Sequence, residues 1–311
     1  MAVYTAVSAS ELTELCQRYG FAETSQLKGM AGGVENTTYQ LISGEQRFIL
    51  TLFEQGSGED LDYFVQLLSF LATQGFAVAA PLPDLQGQVL HQIEGKPSLL
   101  FPFLQGQHPE QANAIQAKAI GQWLAQLHLA GQQFPIQRPN QRSIEWLQQR
   151  MPDVLAFLSE DDQRLMQKEV AQFAELLETY PDLPQGVIHG DLFRDNSFFA
   201  GDELTGVIDF YNGCTGHWLY DLAVVINDWS FQAGDEPNTS IGTAVLAGYQ
   251  KVRPLRPDEQ QALPGFLRAC ALRYWLSRLI AKHLSPPNED QSSVIKDPEQ
   301  YRKILVLRKR A

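Results

Sequence analysis

Between residues 186 and 210 the chain reads Gly186-Val187-Ile188-His189-Gly190-Asp191-Leu192-Phe193-Arg194-Asp195-Asn196-Ser197-Phe198-Phe199. It turns at Ala200-Gly201-Asp202-Glu203 and returns through Thr205-Gly206-Val207-Ile208-Asp209-Phe210. Apolar, β-branched runs on either side of a glycine-bearing turn predict strand, loop and hairpin. That path carries Asp191, Asn196 and Asp209 back toward one place, so the fold must build a polar, oxygen-rich focus where strands end. Taken singly, an Asp or Asn in a loop is a turn former, and His189 after two β-branched residues is a scaffold side chain bonded to backbone. The complete pattern in its strand–loop–strand setting outweighs those plain readings. His189 keeps its scaffold role, and Asp195 is left as a surface charge.

The flanks differ in character. Before residue 105, Gln26 to Met30, Thr37 to Ile42, Arg47 to Phe53, Val89 to Ile93 and Pro97 to Leu104 read as strands of a mostly antiparallel sheet. Leu61 to Gln74 reads as a helix packed on it, and Ser10 as the N-cap of a first helix ending near Gly20. After Gln105-Gly106, helical spacing dominates: Ala112 to Ala130, Ser143 to Met151, Asp161 to Tyr180, a further set to about His283, and a short helix over Tyr301 to Arg308. A length of 311 residues exceeds a single core. The expected architecture is therefore α+β and two-lobed, with an N-terminal lobe over 1–105 and a larger, mostly helical lobe over 106–311.

Charge and cysteines narrow the partners. A formal charge of −12 with no long basic run repels nucleic-acid phosphates and anionic lipid. Cys16, Cys214 and Cys270 are far apart and fit neither a disulfide framework nor a zinc site, which suits a reducing compartment. With no basic-then-apolar leader and no run of about 18 apolar residues, a cytoplasmic protein without membrane contact is expected.

His-x-Asp, four residues, Asn, an apolar strand pair and a second Asp is the spacing of a phosphoryl-transfer loop. Transfer from ATP needs a carboxylate at the acceptor hydroxyl, the role given to Asp191. It also needs oxygen ligands that hold Mg²⁺ against the phosphates, given to Asn196 and Asp209. The segment from Asp209 to the apolar helix at Tyr220-Asp221-Leu222-Ala223 is too short for a peptide platform, so a small acceptor is expected. Asp221 is expected to brace the catalytic loop by hydrogen bonding.

On these residues the chain resembles the aminoglycoside-phosphotransferase and choline-kinase superfamily, and within it the second type of bacterial homoserine kinase. Further stretches that resemble this family are Gly33-Val34-Glu35-Asn36, Ile49-Leu50-Thr51-Leu52-Phe53-Glu54, Ile208-Asp209-Phe210-Tyr211, Tyr220-Asp221-Leu222-Ala223 with Asn227 and Trp229, and Leu246-Ala247-Gly248-Tyr249. The resemblance runs from about residue 30 to 305. It implies a bilobal protein-kinase-like fold, ATP as donor with Mg²⁺, and L-homoserine as acceptor. It also implies that the turn with Gly32, Gly33 and Asn36 covers the phosphates, and that backbone at Phe103, Leu104 and Gln105 receives adenine. The plain reading of those glycines is a hairpin turn. Two departures stand out. Thr51 occupies the position where protein kinases carry a phosphate-binding lysine, with Lys28, Arg47 and Arg194 as candidate replacements, and Tyr211 replaces the glycine of the Asp-Phe-Gly motif.

A homoserine pocket needs a cation for the carboxylate. Arg273 and Arg278 lie in an apolar helix around Ala269 to Ile280 and need an anion there, either substrate or an internal partner such as Asp221 or Asp228. Tyr211 and Asn227 are further substrate candidates. Competing expectations are an aminoglycoside, choline, ethanolamine or methylthioribose kinase, or an inactive nucleotide-binding scaffold.

Overall fold

The computed structural model describes residues 5–30, 36–54, 58–231, 237–284 and 296–310. Its contacts divide the chain into two units, residues 1–106 with 205–208, and residues 107–204 with 209–311.

The first unit opens with α1 (Ala9–Tyr19), capped by Ser8, whose hydroxyl accepts the Glu11 N–H at 3.4 Å. The cap is therefore two residues earlier than Ser10, because Ser10 already lies in helical backbone. Strands β1 (Gln26–Gly29), β2 (Thr37–Ser43) and β3 (Gln46–Leu52) follow, then α2 (Gly58–Thr73), β4 (His91–Ile93) and β5 (Lys96–Pro102). They form an antiparallel sheet in the order β1-β2-β3-β5-β4. Along β2, burial alternates strictly, with Thr37, Tyr39, Leu41 and Ser43 inward, the period of two that marks a strand. Gly44, at φ +60°, supplies the left-handed residue that the two-residue β2–β3 turn requires. Leu15, Tyr39, Leu41, Leu50, Leu52, Ile93 and Leu100 make one core, each large side chain contributing about 1.5–3 kcal/mol by leaving water. Phe64 brings α2 onto Phe101 of β5, ring centroids 6.2 Å apart.

The second unit contains α3 (Ala114–Gly131), α4 (Ile144–Arg150), α5 (Glu160–Thr179), β6 (Gln185–Ile188), β7 (Ser197–Ala200), the start of β8 (Glu203–Val207), whose residues from 205 on count with the first unit, β9 (Cys214–His217), α6 (Trp218–Ser230), α7 (Thr239–Val252), α8 (Pro257–Leu284) and α9 (Pro298–Arg310). Helix α3 begins with a reciprocal capping box between Asn113 and Gln116 and packs on α7, while α8 packs on α6 and α9. Helix α9 starts three residues before Tyr301, buries Tyr301, Ile304 and Leu305, and carries a charged outer face. β7 and β8 form a hairpin, and β6 pairs antiparallel with β9 so that Ile188 faces Cys214. All three cysteines are buried and unpaired. No helix among the described residues is long and apolar enough to cross a membrane.

Candidate active site

The loop after β6 is fixed from below by one carboxylate. Asp221, in the first turn of α6 and wholly buried, accepts the backbone N–H groups of His189 at 2.7 Å and Gly190 at 2.8 Å. This is the bracing role expected of it. His128 of α3 brings Nε2 to 3.2 Å from the same carboxylate and Nδ1 to 2.7 Å from the Tyr249 hydroxyl. A neutral ring protonated on Nε2 satisfies both contacts. Burial alone would push the Asp221 carboxyl up. The bonds from His128 and the His189 N–H outweigh burial and hold it below the ordinary carboxylate value.

Gly190 sits at φ +78°, where an added Cβ would also run into the Asn212 carbonyl; only glycine suits both demands. The chain thus reverses, and Asp191 follows with its N–H on His189 Nδ1 at 3.3 Å. The Asp191 carbonyl accepts the Phe193 N–H and the Asn196 side-chain amide, each at 2.8 Å. The second bond turns the Asn196 nitrogen into the loop and leaves its Oδ1 without a partner among the described residues. The Asp191 carboxylate receives the Tyr274 hydroxyl on Oδ1 at 2.5 Å, and that hydroxyl also lies 3.1 Å from the Gly190 carbonyl.

Asp209 follows β8 in left-handed backbone, φ +65° and ψ +53°. That conformation is uncommon for a non-glycine residue and concentrates at functional turns. It opens the turn Phe210–Asn212, whose far end lies against Gly190. Arg138 pins this turn by donating to the Tyr211 and Gly213 carbonyls at 2.9 and 3.0 Å. Burial, and then the Asp209 charge, push the Tyr211 hydroxyl well above its ordinary pKa, so it stays protonated.

Beside Gly190 lies a cavity of ≈ 40 Å³ lined by Arg138, Asn140, Tyr211, Cys214, Tyr220 and Arg273 among others. Burial pushes the Cys214 thiol up to about 12, which leaves it inert at neutral pH. Of the acceptor residues expected from sequence, Tyr211 and Arg273 come together here. Asn227 and Arg278 do not. Asn227 is buried, donating to the Leu267 carbonyl at 2.8 Å and accepting from Arg308 at 2.9 Å. Arg278 donates to the Asp297 carbonyl and the Gln300 side chain at 2.8 and 2.7 Å over the Tyr301 ring. Both side chains tie helices together. Asp228 engages Arg194, through its backbone N–H at 2.8 Å and its Nε at 3.3 Å. Neither Asp221 nor Asp228 therefore answers the arginines of α8. Sequence reasoning gave no site role to Tyr220, which lies in the family-like stretch beside Asp221, nor to Tyr274, His128 and Arg138, which are brought in from distant segments with no local signal.

In the first unit, Thr51 is buried one residue before the end of β3, between Thr38 and Leu99. Phe103, just past β5, donates its N–H to the Arg47 carbonyl, and the Arg47 guanidinium lies 6.0 Å from its ring. Leu104 follows it, and Gln105 accepts the Thr205 hydroxyl through its carbonyl. Asn36 is half-buried immediately before β2. Gly32 and Gly33 lie outside the described residues.

The profile of the phosphotransferase enzyme family matches residues 26–255. A homoserine kinase from Janthinobacterium sp. (strain Marseille) is 37% identical over 313 aligned residues, spanning 99% of this chain and 96% of its own length. Among solved structures, the microcompartment-associated aminopropanol kinase matches with TM-score 0.75 at 19% identity, covering 97% of each chain. The amicoumacin kinase hAmiN, solved with AMP-PNP, Ca²⁺ and Ami, matches with TM-score 0.71 at 18% identity over 95% of this chain and 92% of its own. At such identities the structural likeness speaks for the kinase-like α+β fold alone, whereas the end-to-end sequence match speaks for kinship. The chain belongs to the phosphotransferase enzyme family and, within it, to the homoserine kinases.

Proposed function

We propose that this chain transfers the γ-phosphoryl group of ATP to the hydroxyl of L-homoserine, giving O-phospho-L-homoserine and ADP. The observation that carries this reading is the state of Asp191. One carboxylate oxygen is held by Tyr274 on a loop locked by Asp221, and the other has no partner among the described residues. That second oxygen accepts the proton of the acceptor hydroxyl as its oxygen attacks phosphorus. Kinship over nearly the full length with a homoserine kinase supports the choice of acceptor.

The donor set suits Mg²⁺. Asn196 presents an amide oxygen whose orientation is set by the bond from its own nitrogen to the Asp191 carbonyl, and Asp209 supplies a carboxylate. Hard oxygen donors in small number, completed by phosphate, are how proteins hold this ion. No group of three or more His, Cys, Asp or Glu that would cage a metal occurs among the described residues. Mg²⁺ held there neutralises charge developing on the phosphates. In this reading Asn196 and Asp209 bind and orient, and Asp191 handles the proton. Backbone at Phe103 and Leu104, with Asn36, Thr51, Gly32 and Gly33, serves the nucleotide.

Measuring ADP release and phosphorylated product over a panel of amino alcohols tests the reading. L-Homoserine should be turned over best; turnover of choline or an aminoglycoside with none of homoserine would refute the acceptor.

A further inference from the structure

We propose that the cavity beside Gly190 receives the acceptor's carboxylate, with Arg273 and Tyr220 as its two donors and as the determinants of acceptor choice; this inference rests on the homoserine reading. Arg273 is 6% exposed and Tyr220 7% exposed. The Arg273 guanidinium lies over the Tyr274 ring, 4.1 Å from its centroid, yet its Nε has no hydrogen-bond partner and no carboxylate stands at ion-pair distance among the described residues. The Tyr220 hydroxyl is also buried and unpartnered. Arg253 shows what the same fold does with a structural guanidinium: both terminal nitrogens meet Glu259 at 2.9 Å. An unanswered buried cation is costly, and a buried hydroxyl without a partner adds to the cost. Two such groups lining one cavity indicate a missing ligand that is anionic and accepts hydrogen bonds.

Size and reach select a carboxylate. A volume of ≈ 40 Å³ has room for roughly three water-sized groups, which matches one carbon and two oxygens rather than a whole amino acid. Guanidinium and phenol together satisfy both oxygens. The cavity is lined by Gly190 and Arg273, while the next residues along each segment, Asp191 and Tyr274, make the carboxylate–hydroxyl pair at the reacting end. Neighbouring residues on the same two segments thus serve the cavity and the reacting end, the short separation a four-carbon amino acid must bridge between carboxylate and hydroxyl. Removing the carboxylate from homoserine gives 3-amino-1-propanol, so this cavity separates the two acceptors.

The test uses two competitive inhibitors of L-homoserine phosphorylation at saturating ATP. L-2-Aminobutyrate keeps the carboxylate and lacks the hydroxyl; 3-amino-1-propanol keeps the hydroxyl and lacks the carboxylate. The ratio of their inhibition constants should favour aminobutyrate in the wild-type chain. It should fall by about 10²-fold or more in Arg273→Gln and about 10-fold in Tyr220→Phe, with Arg273→Lys between them. Tyr220→Phe, which removes a single oxygen, carries the test if Arg273→Gln does not fold. A ratio unmoved by Tyr220→Phe and by whichever arginine variants fold overturns the subsite while leaving the kinase intact. A wild-type chain that phosphorylates no homoserine overturns the proposed function, and this inference with it.

Discussion

Asp191 has two carboxylate oxygens, and the fold has already committed one of them to Tyr274. Asp191→Asn keeps the size of the side chain and its contact with that hydroxyl but removes its basicity. The expected result is a fall in kcat of about 10²–10⁴ with the KM for ATP nearly unchanged, read by steady-state kinetics. Activity close to wild type would strip Asp191 of its role. The loop and hairpin that carry residues 191, 196 and 209 were readable from sequence because they are defined by local spacing. Tyr220 and Tyr274 were not, since a tyrosine in an apolar helix looks like core. Arg278 and Asn227 looked like pocket residues because sequence gives the phase of a helix but not its neighbour. Helix α9 is that neighbour, meeting Asn227 through Arg308 and Arg278 through Gln300, with Asp297 beside its first turn.

The catalytic loop is held by an element remote from it in sequence. Asp221 at the start of α6 joins the turn after β6 to His128 of α3. Asp221→Asn exchanges a two-oxygen acceptor for a group with one acceptor and one donor, stranding at least one buried N–H. A loss of about 2–4 kcal/mol in urea unfolding is expected; a loss below about 0.5 kcal/mol would show the loop holds without it. The sequence disclosed the bracing carboxylate, because an Asp opening an apolar helix needs a purpose. It did not disclose His128, which lies 93 positions away and meets Asp221 only through the packing of α3 beside α6. The strands of the first sheet were legible, since β2 alternates with period two, whereas β9 lay in what read as a short connecting loop. The first cap was misplaced because Ser8 and Ser10 offer the same side chain to the same helix end.

For the molecule as a whole, acid is the natural stress. Burial pushes His91, His128 and His217 below the ordinary imidazole value. Between those depressed values and about 6.5, the unfolded chain binds more protons than the folded one. Their contribution to stability is therefore complete above about pH 6.5 and is lost as the pH falls. Acidification also relieves self-repulsion in a chain of charge −12, so the measurement belongs in about 0.3 M salt, where exposed charges are screened within roughly 6 Å. Calorimetry there should find Tm level from pH 8 to 7 and falling toward pH 5; a flat or rising Tm would refute the histidine argument. Helix α8 carries a different consequence. It presents Tyr274 to Asp191, the proposed base, and Arg273 to the neighbouring cavity, so evolution cannot rework one without jostling the other. A lineage adopting new alcohols through α8 must pass through ancestors with a poorly aimed base. Retooling the parts of the lining that other elements supply, at Tyr220 or around Arg138, avoids that valley, and laboratory selection for new acceptors should begin there.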